Sequence, residues 1–274
     1  MNKKNNIAMV SSAILAVFAA VQVHAGTTIY HEGDLLVSFR AASPAASGAG
    51  SKDLTVDLGN VNTFVSSTYS QGGTVDLTSY LSGVDFTSLF GGANNLQWSA
   101  SATVNPGLSG NLWTTRTRNG NPIYTVAGST AWNNSDTFSQ PAKAQPIEGV
   151  GLGLNVAGTA LSAHAGTTAD LNNLYSYHQF VTDGSYNQSF GAGAPGVETG
   201  TGANFTGAVR ADFYQVLASD SNPGQPGTYE GYFTFGANDT LTFTSVPEPT
   251  TLSLFACLGL LGAICGRALG LRKS

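Results

Sequence analysis

Three polar residues close together near residue 30 have side chains that bind metals or transfer protons: His31, Glu32 and Asp34. Imidazole and carboxylate groups are the usual components of zinc sites and of general acid–base pairs. Zinc motifs on helices place two histidines four residues apart, whereas this cluster precedes an apolar run typical of a strand. The cluster is a candidate acid–base or metal site, but it lacks the helical spacing of a zinc motif, and we expect no bound metal.

A second group consists of His164, Asp170 and His178, which could meet only if the intervening chain folds back. The alternative is that each histidine lies at the surface with ordinary hydrogen-bond partners. The chain has no Gly-x-Ser-x-Gly elbow and no Gly-x-x-x-x-Gly-Lys phosphate loop. Both cysteines, Cys257 and Cys265, lie in the apolar C-terminal segment, so none precedes it. We therefore expect no catalytic residues, no cofactor and no enzymatic activity.

The three tryptophans, Trp98, Trp113 and Trp132, are candidates for carbohydrate contact. Aromatic faces stack on sugar rings in lectin-like sandwiches, and three such rings on one exposed face would form a binding platform. The alternative is that each indole fills the core, which is the usual fate of large aromatic residues on strands.

The first residues have the pattern of a secretory signal peptide. Lys3 and Lys4 form a basic region, and residues 7–23 are mostly apolar. Val23 and Ala25 then occupy the positions that signal peptidase reads, which predicts cleavage between Ala25 and Gly26. Residues 1–25 are thus expected to be a signal helix, with the mature chain beginning at Gly26.

The last residues have three parts in a fixed order. Val246-Pro247-Glu248-Pro249 disfavours a helix and forces an extended backbone, as a protease active site requires. Residues 250–271 are apolar and long enough to span a bilayer if Arg267 reaches the head groups. Arg267, Arg272 and Lys273 provide the basic end, which the positive-inside rule places in the cytoplasm.

This tail resembles the PEP-CTERM sorting signal of bacterial exosortase substrates, with Val246, Pro247, Glu248 and Pro249 as the motif. The resemblance implies recognition by exosortase, a membrane-embedded transpeptidase that cuts near the motif. It also implies a transient anchor in the inner membrane of a Gram-negative, biofilm-forming bacterium, followed by release or re-anchoring at the cell surface, often together with exopolysaccharide. The segments Gly33–Arg40 and Thr228–Phe233 are similar to a recurring type of PEP-CTERM ectodomain for which no activity is established.

Composition limits the partners of the exported region. Residues 26–246 contain six basic and 15 acidic residues, a net charge of −9, which argues against nucleic acid. Charged residues are only 10% of the chain, while aromatic residues are 10% and apolar residues 42%. This pattern is typical of a secreted all-β protein with a packed core and many turns.

Strand patterns recur along residues 26–245, which we predict to be one domain. Residues 35–39, 53–58, 95–104 and 112–126 read as strands, the last broken by the turn at 119–122. Residues 77–90 predict short helical turns, and 169–181 predict a helix capped by Thr168. The closing hairpin should pair Phe233 with Phe243 across a five-residue loop, because that register places the apolar side chains on one face.

We therefore expect an all-β protein: a single jelly-roll-like β-sandwich with one or two short helices, between a signal helix and a transmembrane sorting helix at 246–274. Its expected function is that of an exported, non-enzymatic protein of the cell surface or extracellular matrix, associated with exopolysaccharide in a biofilm. Its expected partners are signal peptidase, exosortase and the inner membrane. The alternative is a lectin-like carbohydrate-binding module, and a secreted hydrolase would need two carboxylates about 5–9.5 Å apart in a cleft.

Overall fold

The computed structural model describes most of residues 26–246, and within the described residues the chain forms eleven strands and four α-helices. The described residues are 30–65, 73–104, 112–118, 140–156, 159–168, 171, 176–182, 197–216 and 228–246. The strands are β1 (Asp34–Ala41), β2 (Asp53–Asn60), β3 (Thr74–Asp76), β4 (Leu96–Thr103), β5 (Leu112–Thr117), β6 (Thr159–Ala160), β7 (Ala165–Thr168), β8 (Thr199–Gly200), β9 (Ala208–Val216), β10 (Thr228–Gly236) and β11 (Leu241–Ser245). The helices are α1 (Asn62–Val65), α2 (Phe86–Phe90), α3 (Gln140–Val156) and α4 (Tyr177–Thr182), with a 3-10 turn at Thr78–Leu81.

All strands belong to one antiparallel sheet, which confirms the all-β class. The strand order is β3-β11-β10-β9-β5-β4-β1-β2-β7-β6, and β8 pairs separately with β4. The outermost strands, β3 and β6, are three and two residues long.

The sheet curls so that its two halves face each other. Strands β1 and β10 are four steps apart in the strand order, which in a flat sheet would separate them by about 19 Å. Yet the ring centroids of Phe39 on β1 and Phe235 on β10 are 5.1 Å apart. Phe64 on α1 likewise contacts Phe243 on β11, with centroids 5.8 Å apart. The curl therefore creates an aromatic core between the two halves.

Each face of the sheet has its own core, because successive side chains of a strand point to opposite sides. On β1, Leu35, Val37 and Phe39 enter the core inside the curl, which α1, α2 and the 3-10 turn also line. Leu36 points to the other face, where α3 and α4 cover it. This arrangement explains why β1 is buried along most of its length on both sides.

The strand at 53–58 is confirmed as β2, but its polar face is not exposed. Leu54, Val56 and Leu58 enter the aromatic core as predicted. Asp53 and Asp57 on the other face are 2% and 6% exposed. The sequence pattern indicated a half-buried strand because it could not show which elements cover the second face.

The closing hairpin has the predicted register. Phe233 pairs with Phe243 and Phe235 with Leu241, across the five-residue loop. The predicted strands at 35–39 and 95–104 and the helical turns within 77–90 are also present. The strand expected over 112–126 is described only as β5, and its predicted turn lies outside the described residues.

The predicted helix at 169–181 is wrong in its start. Thr168, the expected cap, belongs to strand β7, and the described helix begins at Tyr177. A carboxylate from another element performs the capping, because Asp53 of β2 accepts hydrogen bonds from Ser176 Oγ at 2.5 Å and from the His178 N–H at 2.6 Å.

The sequence did not predict α3, the longest described helix, which packs across β2, β4, β7 and α4. Tyr30 lies flat against it at Gly151, where a Cβ atom would stand 2.5 Å from the tyrosine ring. Asn155 of the same helix accepts a hydrogen bond from the Tyr30 N–H at 2.9 Å and donates one to the Tyr30 carbonyl at 3.2 Å. These contacts hold the first described residue against the domain.

Two predicted membrane segments, the signal helix at 1–25 and the sorting helix within 246–274, lie outside the described residues. Among the residues that are described, none of the helices has both the length and the apolar character that crossing a bilayer requires.

Candidate functional site

The main candidate site is a cleft of about 250 Å³. Three consecutive segments of the sheet meet there: the start of β1, the end of β2 and the turn before β7. The 3-10 turn supplies a fourth wall. The lining residues are His31, Asp34, Asp57, Leu58, Gly59, Tyr80, Ala163 and His164.

A pair of carboxyl groups forms the floor of this cleft. Asp34 and Asp57 are each 6% exposed and share a hydrogen bond between their side chains. Backbone groups orient both side chains. Asp34 Oδ2 accepts from the His31 N–H at 2.8 Å, and Asp57 Oδ1 accepts from the Gly59 N–H at 2.7 Å.

Burial raises the pKa of Asp57 to about 7, and the adjacent Asp34 carboxyl adds to the increase, while the Gly59 N–H opposes it. Two carboxylates this close cannot both ionise without strong repulsion, so Asp57 keeps its proton until the pH rises to about its raised pKa. A shared proton of this kind can donate a hydrogen bond to a polar ligand, and the ionised oxygens can accept one.

Two imidazole groups, those of His31 and His164, line the same cleft. The His31 side chain is 73% exposed, and its Nδ1 lies 3.5 Å from Asp34 Oδ2. The ring of His164 meets the Tyr80 ring edge-on, with centroids 4.8 Å apart. The backbone also links this turn to the floor, because the His164 carbonyl accepts from the Asp57 N–H at 2.7 Å.

The structure therefore brings together part of each group expected from the sequence. His31 and Asp34 meet in the cleft, and His164 joins them from the second group. His178 does not, because it lies on α4 beside Asp53, and Asp170 lies outside the described residues. Among the described residues, no three histidine, cysteine or acidic side chains are grouped so that they could hold a metal ion.

Sequence reasoning missed Asp57, the partner of Asp34. The β1–β2 register places Asp57 opposite Leu36, and a β-bulge between Asp34 and Leu36 brings the two acids close together. The alternating pattern identified both strands, but the connection at 42–52 has no feature that sets its register. The pairing therefore could not be predicted from the sequence.

Two of the three tryptophans that were candidates for carbohydrate contact do not form an exposed platform. Trp98 and Trp113 are 0% and 2% exposed and belong to the aromatic core inside the curl. Trp98 stacks on Phe39 with centroids 6.1 Å apart, so its face is occupied by protein. Both residues therefore follow the alternative considered from the sequence, in which the indole fills the core, while Trp132 lies outside the described residues.

Two buried carboxyl groups, Asp57 in the cleft and Asp53 at the start of α4, predict a pH dependence of stability that is opposite to the usual one for buried ion pairs. Burial raises the pKa of Asp53 to about 6, and that of Asp57 to about 7, whereas an unfolded carboxyl has a pKa of about 4. The folded chain therefore binds more protons than the unfolded chain between these values. This contribution to the free energy of unfolding is complete below pH ~4 and is lost as the pH rises through the folded pKa values.

We expect the thermal unfolding midpoint to be higher at pH 5 than at pH 8. Asp57→Asn should reduce that difference and raise the midpoint at pH 8, because the amide cannot ionise. Asp76→Asn is the matched control, since Asp76 is exposed and hydrogen bonds from Thr78 hold its pKa below the usual range. An unchanged or higher midpoint at pH 8 in the wild-type chain would contradict this assignment.

The remaining residues singled out from the sequence lie mostly outside the described ranges. These are the signal cleavage residues Ala25 and Gly26, the motif residues Pro247, Glu248 and Pro249, and the basic residues Arg267, Arg272 and Lys273. Val246 is described, and its N–H donates to the Glu230 carbonyl on β10 at 3.3 Å. Comparisons of the chain with protein-family models, curated proteins and solved structures found no match.

Proposed function

We propose that the chain is an exported, non-enzymatic protein of the cell surface or extracellular matrix of a Gram-negative bacterium. Signal peptidase removes residues 1–25, and residues 246–274 anchor the chain transiently in the inner membrane. Exosortase then reads Val246-Pro247-Glu248-Pro249 and trims the tail. The domain at 26–245 is delivered to an exopolysaccharide-rich layer.

The observation that carries this proposal is where the last described strand ends. Strand β11 ends at Ser245, and Val246 makes the last described backbone hydrogen bond to the sheet. The next residue, Pro247, has no N–H and cannot extend a strand ladder. The motif thus begins where the described sheet ends: its first residue, Val246, is still bonded to the sheet, and its first proline cannot extend the ladder.

The geometry of the cleft does not fit the glycosidase form of the hydrolase alternative. Asp34 and Asp57 are within hydrogen-bond distance of each other. Glycosidases separate their two carboxyl groups by about 5–9.5 Å, which leaves room for the sugar or a water molecule.

The finer fold is also part of the proposal: the facing halves of the curled sheet would act as the two layers of a jelly-roll-like sandwich.

The proposal is tested by mass spectrometry of both ends of the protein purified from cells that contain the sorting enzyme. The wild-type product should begin at Gly26 and lack its apolar tail. Combining Pro247→Ala with Pro249→Ala should leave the tail in place and the chain in the membrane fraction, because the extended motif is lost. The control is Pro44→Ala in the exposed β1–β2 connection, which should be trimmed like the wild type.

Identical trimming of the double variant, or of the wild-type chain in cells that lack exosortase, would contradict the proposed route.

A further inference from the structure

The topology places both ends of the described domain at the same edge of the sheet. From β1 the strand order runs through β4, β5, β9 and β10 to β11, and each of the five pairings is antiparallel. An odd number of antiparallel steps makes β1 and β11 run in opposite directions. The beginning of β1 and the end of β11 therefore lie on the same side of the sheet, at the ends of the strands. We call this side the exit edge; it is distinct from the outermost strands β3 and β6.

The strand register strengthens this placement. One row of paired residues crosses the sheet from Leu36 to Tyr229 on β10, through Ser101, Thr114 and Tyr214. Val246 bonds to the residue after Tyr229. Tyr30 and Val246 also pack on the same face of the sheet, in the core covered by α3 and α4.

The acid–imidazole cleft lies at the exit edge as well. His31 and Asp34 stand where β1 begins. Strand β2 is antiparallel to β1, so its end, with Asp57, reaches the same edge, and β7 in turn begins there, just after His164.

Short connections separate this edge from the predicted membrane segments. Three residues lie between Val246 and Thr250, where the predicted membrane helix begins. From Val246 to Thr250 the fully extended chain makes four steps and reaches at most about 14 Å, and the head-group layer accounts for about 5–7 Å of that. The nine-residue strands extend about 30 Å from the exit edge to the opposite ends of the strands. If those opposite ends contacted the bilayer, the exit edge would be farther from the membrane than the connection between Val246 and Thr250 can reach.

The charged side chains near the exit edge are acidic, so they do not attract an anionic membrane. Glu32, Asp34 and Glu230 lie near it, together with the carboxyl of Asp57. Five of the six basic residues in the exported region lie towards the opposite edge, and the sixth, Lys143, is on α3. The five are Arg40, Lys52, Arg116, Arg118 and Arg210. The tether, and not surface adsorption, must therefore set the orientation.

We propose that the anchored protein stands on the bilayer on its exit edge, so that the His31–Asp34–Asp57–His164 cleft faces the lipid head groups until the tail is cut. The inference rests on the proposed function, because it requires the tail to be in the membrane. Both membrane segments can be inserted at once without unfolding the domain, and trimming exposes the cleft to solvent.

The test uses the full chain with Cys257→Ala and Cys265→Ala and one added cysteine that carries a fluorophore. Ala163→Cys marks the exit edge, while Ser47→Cys and Asn238→Cys mark loops at the opposite edge, and all three positions are exposed. The chains are reconstituted into phosphatidylcholine vesicles with a nitroxide on the head group, which quenches only at short range. Quenching at position 163 should exceed that at positions 47 and 238 several-fold.

A second variant carries an insertion of about 20 Gly/Ser residues between Val246 and Pro247, a flexible spacer with an average reach of about 25 Å. The insertion should remove most of the difference between the three positions. Equal quenching of the three positions in chains that float with the vesicles overturns the orientation alone. Chains that do not float with the vesicles overturn the membrane segment of the proposed function, and the orientation with it.

Discussion

Replacing Gly231 by alanine is expected to lower the free energy of unfolding by about 3 kcal/mol or more. Gly231 lies at a bulge in β10, with a φ angle of +150° that other residues rarely adopt. A Cβ atom there would stand 2.3 Å from the Thr244 carbonyl oxygen and 3.0 Å from the Ser245 Cα. Both atoms belong to the backbone of the paired strand β11, so they cannot move aside as a flexible side chain would.

Urea unfolding measures this effect, with Gly207→Ala as the matched control. Gly207 is exposed, has no positive φ angle, and has open space where a Cβ atom would be. Its replacement should change stability by less than about 0.5 kcal/mol, or raise it slightly through the unfolded chain. If both glycine variants unfold at the same urea concentration, the close approach of β10 and β11 at the bulge is wrong.

The second large effect is expected at the ion pair between Arg40 and Glu198. Two parallel hydrogen bonds join the guanidinium to the carboxylate, at 2.7 Å and 2.5 Å, and both side chains are almost buried. They connect β1 to the segment that contains β8. Removing one partner leaves the other charge buried and unpaired, which typically costs about 3–5 kcal/mol. Arg40→Met should therefore be strongly destabilising.

A double-mutant cycle separates this cost from the loss of side-chain packing. Arg40→Met combined with Glu198→Met should be more stable than either single variant, because no charge is then left unpaired. Arg210→Met is the control for an exposed arginine whose guanidinium lies over the Tyr232 ring at 5.0 Å, and it should lower stability by about 1 kcal/mol or less. If the double variant loses as much as the sum of the two single variants, the ion pair does not act as a unit.

Local patterns predicted the strands well, because a strand that borders a core must alternate. Leu54, Val56 and Leu58 show that rule in β2, and Phe233 and Phe243 extend it to the register of a hairpin. Trp98 also followed it and entered the core. These features depend on residues close in sequence or separated by one tight turn, which is the range over which a single sequence carries information.

Helix α3 could not be predicted because its residues have low helix propensity. The segment contains Pro141, Pro146 and three glycines at 149, 151 and 153, each unfavourable in an isolated helix. Contacts with the sheet stabilise it instead, and Gly151 is useful there because it admits the Tyr30 ring. The start of α4 also depends on a contact that is distant in sequence, and it was therefore predicted wrongly. Asp53, 123 residues away from Ser176, caps this helix.

The candidate cleft could be predicted from the sequence only in part. His31 and Asp34 were recognised because they are neighbours in sequence. Asp57 and His164 reach them only through the register of three strands, which no local pattern encodes. The curl of the sheet, which depends on contacts between strands four steps apart, is beyond sequence patterns for the same reason.

The two outermost strands are short, and this affects whether copies of the protein associate through their sheets at high concentration. An unpaired strand edge is a template on which other copies can add as a growing filament. Within the described residues, β3 and β6 end the sheet with three and two residues, far fewer than the six or seven that an amyloid-forming segment uses. Concentrated solutions of this protein should therefore contain individual molecules and not fibres built on these two strands.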